Sequence, residues 1–545
     1  MVDSDRDGVT IGRGFGDGGP HSGMTERRAP LVVACFLLLV YALTLAPSVT
    51  YWDSGEFLAA IKTLGIPHPP GTPLYILVAN VWGRVLGPVF GFAWSINLLS
   101  AVSTAVACGI LAWLLARWTR DAWIGVAGGI LAGLMSSVWL NANETEVYAP
   151  SLLLSALLLL VAERARVEPG ARWLVLLAYL VGLGYSLQLS SLVAAPAAAM
   201  LALSGERRGR FPALRMAGAA LLGASAILFM IVRAQHDPGI NQGNPATWGA
   251  FIDVVTRAQY QPVSMLPRQA PWYLQIGNVF EYADWQVALG LSPEAPPAWF
   301  RTPFTLIYAT LGAFGCALHR KVHRPSWRVM LFLFVCGTLG VVAYLNMKAS
   351  PSYGYGFLPP AAKHEARERD YFFVIAFVCW GMWAGMCAMH LLSRFGLKGR
   401  VTALAVVILP AVLNWSAVDR SREPIASAAR DSAMRVLGNV PPRAVVFAYG
   451  DNDTYPGWYL QQVEGIRRDV TLVTIPLLGA GWYRAEVARR DGLLPNDVVG
   501  SWRGFGATLI ALCVAATDRG RAVIALTVRE RTAIPVECEK RTEKR

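Results

Sequence analysis

Long apolar runs separated by short, mostly basic loops occupy the chain from Leu31 to Val418. A membrane span needs roughly 17 to 25 mostly apolar residues. On that measure spans begin near Pro30, Phe92, Asp121, Ala149, Arg172, Ser190, Arg215, Pro303, Arg328, Tyr371 and Val401, which predicts a bundle of about 11 transmembrane helices. The runs from Ala149 and Ser190 are short and read as tilted or broken. Leu74 to Val89 is apolar but interrupted by Gly83, Arg84 and Gly87, a pattern that suits a helix lying in the membrane interface. After Val418 the pattern changes. Ala444–Ala448 and Val470–Ile475 are short β-type runs, with a helical stretch, Trp458–Gly465, between them. Strand, helix and strand in that order predict a small α/β domain, with Gly506–Ala516 as a further helix. The expected organisation is a disordered tail (1–29), a multi-span membrane domain (30–417), an α/β domain (418–532) and a flexible end (533–545).

Composition agrees with this reading. Of 545 residues, 54% are hydrophobic and 16% charged, against about 25% charged in soluble domains. The formal charge of +13 is spread over alternate loops rather than gathered in one patch. This is the positive-inside pattern, and it excludes nucleic acid as the partner. Arg117 and Arg120, Arg164 and Arg166, Arg207, Arg208 and Arg210, Arg320 and Lys321, and Arg394 and Lys398 all fall on one side. That side is expected to be cytoplasmic, together with the N-terminus, and the terminal domain to be outside. Arg27 and Arg28 precede the first run and no small-residue cleavage site follows it, so the run reads as an uncleaved anchor. Cys513 and Cys538 are the two cysteines of the polar tail, and a disulfide between them is open to them outside the cytoplasm.

With this sidedness the outer face gathers the unusual polar segments. Asp53 and Glu56 follow the first span, three residues apart and close enough to share one face of a short helix. A carboxylate at a membrane boundary is costly unless it is solvated or employed. Asp53 reads as a catalytic base or as a helix cap, with Glu56 as the second candidate. Pro67-His68-Pro69-Pro70-Gly71 is a rigid turn that holds His68 near the acids or caps the next helix. Glu144 and Glu146 lie in the second outer loop, where solvation is the plainer reading, and Tyr148 opens the next span. Arg367 and Arg369 stand at the outer membrane edge, suited to a lipid phosphate or to snorkelling. Asp451-Asn452-Asp453 follows a strand. It has the form of a transferase metal motif, and equally that of a turn with an Asp cap.

Taken together, these blocks resemble a known membrane family. Tyr51-Trp52-Asp53-Ser54-Gly55-Glu56-Phe57 with His68-Pro69-Pro70-Gly71, then Glu146-Val147-Tyr148-Ala149, are similar to the domain of unknown function 2723, now glycosyltransferase family 117, which includes an animal protein O-mannosyltransferase. Arg367-Glu368-Arg369-Asp370-Tyr371 and Gly450-Asp451-Asn452-Asp453-Thr454-Tyr455-Pro456 continue the likeness. The resemblance implies a GT-C-like bundle whose site faces away from the cytoplasm, a polyprenyl-phosphate sugar donor and a catalytic acid in the first outer loop. The expectation is then a membrane glycosyltransferase of the bacterial inner membrane. Its partners are a lipid-linked sugar donor, a protein or glycan acceptor and membrane lipids, with mannose a candidate sugar. Asp53 and Glu56 are its expected catalytic residues. Trp52, His68, Glu146, Tyr148, Arg367, Arg369, Asp451 and Asp453 are its expected substrate-binding residues, with no metal and no cofactor. The alternatives are an envelope lipid or polysaccharide transporter, for which polar mid-membrane residues and inverted repeats are expected, and a non-catalytic envelope assembly factor.

Overall fold

A computed structural model describes residues 24–168, 170–205, 211–260, 264–293, 299–353, 358, 362–527 and 533–538. The expected tail up to residue 23, Arg207, Arg208 and Arg210 of one basic loop, and the last seven residues lie outside the described residues.

Helices form where the apolar periodicity predicts them. The first four are α1 (Ala29–Thr44), α2 (Ser54–Thr63), α3 (Pro73–Phe90) and α4 (Phe92–Thr119). α4 is largely buried, and α1 packs along it. The helix over Ala122–Leu134 bends by 69° into the Ser136–Asn143 helix. The run from Ala149 forms one continuous helix, Tyr148–Val167, and the run from Ser190 starts as a 3-10 turn before helix Ala194–Leu203.

Six described segments are long and apolar enough to cross a membrane, or seven if the bent pair is one span. One of the six, Asp370–Val418, holds two helices, Val374–Leu392 and Gly396–Val418. Other expected spans are present as shorter apolar helices, Ala29–Thr44 and Ala171–Leu187 among them. α3, expected to lie in the interface, is long and apolar enough to cross a membrane. Its exposed face, Val78, Val81, Val85 and Val89, is apolar, as lipid contact requires. The chain is an integral membrane protein.

The terminal domain is built on a four-stranded sheet of order β2-β1-β3-β4, comprising β1 (Val445–Ala448), β2 (Thr471–Thr474), β3 (Val523–Leu526) and β4 (Ala533–Pro535). β1 is buried along its whole length and lies parallel to β2 and β3, whereas β4 is antiparallel to β3. Two expectations are corrected here. The crossover helix begins at Asp451, seven residues before the expected Trp458, because Gly450 provides an extended start and Asp453 accepts a hydrogen bond from its N–H. Residues 533–538 are also structured. β4 pairs with β3, and Cys513 is disulfide-bonded to Cys538 with a Cα separation of 5.6 Å. A strand partner and a covalent tether hold these residues where composition alone predicted a flexible end.

The segments expected on the outer face come together at one end of the bundle. Ile66 donates its backbone N–H to Ile240, and Gln242 returns one to Ile66, at 2.8 and 2.9 Å. Arg233 donates to the Leu64 and Thr63 carbonyls at the C-terminal end of α2. Asp237 pairs with Arg489 and Arg490 of the terminal domain. The expected basic side has a network of its own, with Arg166 and Arg117 on Glu163 at 2.7 and 3.4 Å.

Candidate active site

α2 carries both first-loop acids, and the terminal domain presses directly on it. A Cβ on Gly55 would stand 2.4 Å from the Tyr455 carbonyl oxygen, so glycine permits the close approach of α2 to the 451–459 helix. Trp52 adopts a left-handed conformation (φ 63°), fixed by its N–H donating to Asn452 Oδ1 at 2.6 Å. These two contacts set the entry into α2 and the direction of Asp53.

Asp53 occupies the N-cap position of α2, yet its side chain caps nothing. Instead Oδ2 accepts a hydrogen bond from Arg367 Nη2 at 2.8 Å, with Asp53 only 9% exposed. The Arg367 guanidinium lies over the Trp52 ring at 5.3 Å and the Tyr371 ring at 4.8 Å. Its Nε donates to the Tyr371 hydroxyl at 2.9 Å, and Arg369 Nη1 donates to the same oxygen at 2.8 Å. Both arginines therefore turn inward, and the snorkelling alternative is set aside for Arg367. Tyr148 packs on Tyr371 with ring centroids 4.9 Å apart.

Glu56 is completely buried and differently employed. Its carboxylate accepts from the His68 backbone N–H at 2.7 Å, from Gln242 Nε2, and meets His68 Nδ1 at 2.5 Å. The His68 ring packs on Phe57 at 5.5 Å. Neither helix capping nor solvation describes this pair, in which Glu56 ties the proline-rich turn to α2.

Charge sorts the acids. Burial works to raise the Asp53 carboxyl, but the charges of Arg367 and His68 overcome it and hold the group below its ordinary value. Burial raises Glu56 despite His68. Burial opposes the charge of His68, yet Glu56 beside it raises the imidazole to about 9. Glu146 is pushed well above the carboxylate range by burial and then by the charge of Asp53. Its Oε2 is closed off without a hydrogen-bond partner, so solvation in an open loop does not describe it. Burial, followed by the charge of Asp53, also raises Asp451, which heads the crossover helix. The same centre pushes the Asp53 and Glu146 carboxyls in opposite directions, and carboxyls pushed apart in this way can divide acid and base functions between them.

Asp453 is the predicted residue that stands apart, since its Oδ2 turns back onto the Gly450 N–H. Several contributors were missed. The segment bearing the arginines is held by Glu368, which accepts from the Tyr282 hydroxyl and the Ser352 N–H at 3.1 Å each, and by Asp370, which accepts from Ser137 Oγ at 2.5 Å. Tyr371 sat inside a recognised block, which was a usable signal. Gln242, distant in sequence and unmarked by any motif, had none. Among the described residues no group of three or more His, Cys, Asp or Glu is arranged to hold a metal ion.

An inward arginine on a buried, ionised aspartate at one end of a helical bundle fits a membrane glycosyltransferase, the class for which the matching family model and relatives are named. The family models that match parts of the chain are those of the TMEM260 proteins. The family model described as the protein O-mannosyl-transferase TMEM260 N-terminal domain matches residues 53–209, and TMEM260-associated domain 2 matches residues 429–492. Protein O-mannosyl-transferase TMEM260 of Mus musculus is 24% identical over 508 residues, covering 87% of this chain and 68% of its own length. Protein O-mannosyl-transferase tmem260 of Dictyostelium discoideum is 24% identical over 134 residues, 23% of this chain and 16% of its own length. Among solved structures, ArnT from Cupriavidus metallidurans bound to undecaprenyl phosphate is similar with TM-score 0.46 and 11% identity, over 81% of this chain and 89% of that one. The archaeal oligosaccharyltransferase AglB from Archaeoglobus fulgidus, in complex with an inhibitory peptide and a dolichol-phosphate, gives TM-score 0.44 and 10% identity over 94% and 74%. Neither of these structural likenesses assigns chemistry to a residue.

Proposed function

We propose that the chain transfers a sugar, with mannose the first candidate, from a polyprenyl phosphate to a protein hydroxyl on the extracytoplasmic side. The observation that carries this reading is Asp53, a carboxylate kept ionised in a buried centre and engaged by an arginine instead of capping its own helix. In the transfer step the acceptor oxygen bonds to the anomeric carbon as the bond from that carbon to the phosphate oxygen breaks. Asp53 takes the hydroxyl proton, and the polyprenyl phosphate leaves with the electron pair. Arg367 and Arg369 receive the phosphate, Arg367 exchanging one of its contacts to do so. These two cations supply the positive charge the leaving group needs, so the reading includes neither metal nor cofactor. Protonated Glu146 donates a hydrogen bond to the sugar, while Trp52 and Tyr148 form aromatic walls. Support for a lipid carrier comes from the inward arginines. Support for mannose and a protein acceptor comes from the names of the TMEM260 relatives. Bacterial inner-membrane residence, with the basic loops cytoplasmic, belongs to the same proposal.

The test is transfer from labelled polyprenyl-phosphate mannose in membranes, with wild type compared with Asp53→Asn. Transfer that collapses in the variant at equal expression supports the reading, and transfer indifferent to it removes Asp53 from the chemistry.

A further inference from the structure

A cavity of about 270 Å³ lies between residues 239–242 of the long outer loop and the terminal domain. The crossover between β1 and β2 contributes Trp458 and Gln462 to its lining, and the Gly481–Asp491 helix contributes Trp482 and Tyr483. Val470, Thr471 and Leu472 line it too. β2 is the outermost strand of the sheet on that side.

Successive amides of an extended strand point to opposite edges. Thr471 donates its N–H to the Ala444 carbonyl at 3.0 Å, so its amide faces β1. Thr474 therefore faces outward, and its N–H donates to the Tyr483 hydroxyl at 2.8 Å, within the cavity lining. Leu472 shares that outward orientation. Among the described residues its backbone N–H and C=O have no hydrogen-bond partner. A free strand edge is a template for another extended chain. The charged side chains of the lining balance, Arg468 and Arg490 against Glu486 and Asp491, and Arg490 is paired with Glu486 at 2.8 Å.

The cavity also abuts the Asp53 centre. Gln242 lines it and donates to Glu56. The crossover starts at Asp451, whose carboxyl feels the charge of Asp53, and it reaches Gln462 eleven residues later. At 1.5 Å per residue that is roughly 16 Å, which an extended peptide covers in about five residues at 3.3 Å each.

We propose that this cavity is the acceptor-peptide subsite, a reading that rests on the function proposed above. A segment about five residues from the modified hydroxyl adds to the Leu472 edge of β2, and its alternate side chains fill the space beside Trp458 and Trp482. A glycan lacks the repeating amide that matches a donor and acceptor at strand spacing.

The test is fluorescence anisotropy of a labelled, uncharged Ser/Thr-rich peptide with the full-length detergent-purified protein, without sugar donor. Saturable binding is expected, weakened at least about tenfold by N-methylation of alternate peptide amides. A similar loss is expected in Gln462→Trp, which fills the cavity, and in Trp482→Leu, each checked for an unchanged Tm. Asp53→Asn should lose transfer yet bind the peptide as wild type does. Equal binding of the N-methylated peptide, or equal binding by both cavity variants, would overturn the subsite. So would saturation by a soluble mannan oligosaccharide in place of the peptide. If wild type transfers sugar to this peptide while failing these binding criteria, the subsite fails and the function stands. If the peptide binds as described and Asp53→Asn transfers normally, the catalytic reading fails instead.

Discussion

Asp53 and Glu56 sit on one turn of one short helix, and their surroundings give them opposite work. Asp53 meets Arg367, whose guanidinium also serves the Tyr371 hydroxyl and lies over the Trp52 ring. Glu56 faces the interior, where His68 contributes two contacts and Gln242 a third. One acid is ionised and adaptable, whereas the other is locked into a clasp. Burial alone therefore does not mark a catalytic acid. What distinguishes them is whether the partners can be exchanged. A guanidinium that already serves a carboxylate and a tyrosine hydroxyl can accept a phosphate, while a carboxylate saturated by a backbone amide, a ring and a carboxamide has nothing left to offer.

The sharpest way to break this comparison is to neutralise each side. Asp53→Asn should lower kcat for sugar transfer about a thousandfold, within the range for losing a general base, at equal folded fraction. Arg367→Gln should cost about a hundredfold in kcat/KM for the lipid donor. It should also shift the acid limb of the pH profile upward, because it removes a cause of the lowered Asp53 carboxyl. Single-turnover kinetics across pH would check both effects. Glu56→Ala should act on stability instead, by about 3 kcal/mol for breaking a buried pair. Its residual transfer should follow the folded fraction, measured by thermal unfolding in detergent.

The clasp also predicts a pH dependence. His68 has its folded value raised to about 9 from an ordinary 6.5. Its contribution to stability is therefore fully present below about pH 6.5 and fades as pH rises through 9. A Tm series over that interval should fall in wild type and flatten in His68→Gln, and a wild-type series without slope would remove the clasp from the account. The smallest effect is expected from Gly55→Ala. The added methyl group meets the Tyr455 carbonyl, so α2 must shift by a fraction of an ångström, and kcat should fall severalfold with little change in donor KM.

Much of the fold was legible because the membrane imposes a simple rule. Backbone polar groups must be satisfied within each crossing segment, so apolar runs become helices, and helices begin close to Pro30, Phe92, Asp121 and Ala149 as expected. The terminal domain was legible in its strands and less so at its ends. Val445–Ala448 and Thr471–Thr474 carry strong β-type residues. Ala533–Pro535 is three residues whose strand character depends on β3 beside it, and no local pattern records that neighbour. In the candidate site, Asp53, His68, Glu146, Tyr148 and Arg367 were recognisable as motif residues, and the structure gathers them around one turn. Gln242 and Tyr282 were not, since each acts through a side chain that reaches a partner far away in sequence.

What the sequence determined by itself is the inventory: apolar segments that become helices, a short α/β unit after Val418, and an acid-bearing loop after the first span. Hydrophobic periodicity, proline placement and charge bias act locally, and a linear pattern carries them in full. Only the tertiary structure decided which acid meets Arg367 and which meets His68, and that Asp453 turns to its own helix. It also decided that one carboxyl oxygen of Glu146, Oε2, is buried. The Arg367 partner of Asp53 comes from 314 residues away, and burial acts on the acid together with its charge. Protonation and exchangeability follow from that surrounding field, to which residue identity contributes only one term.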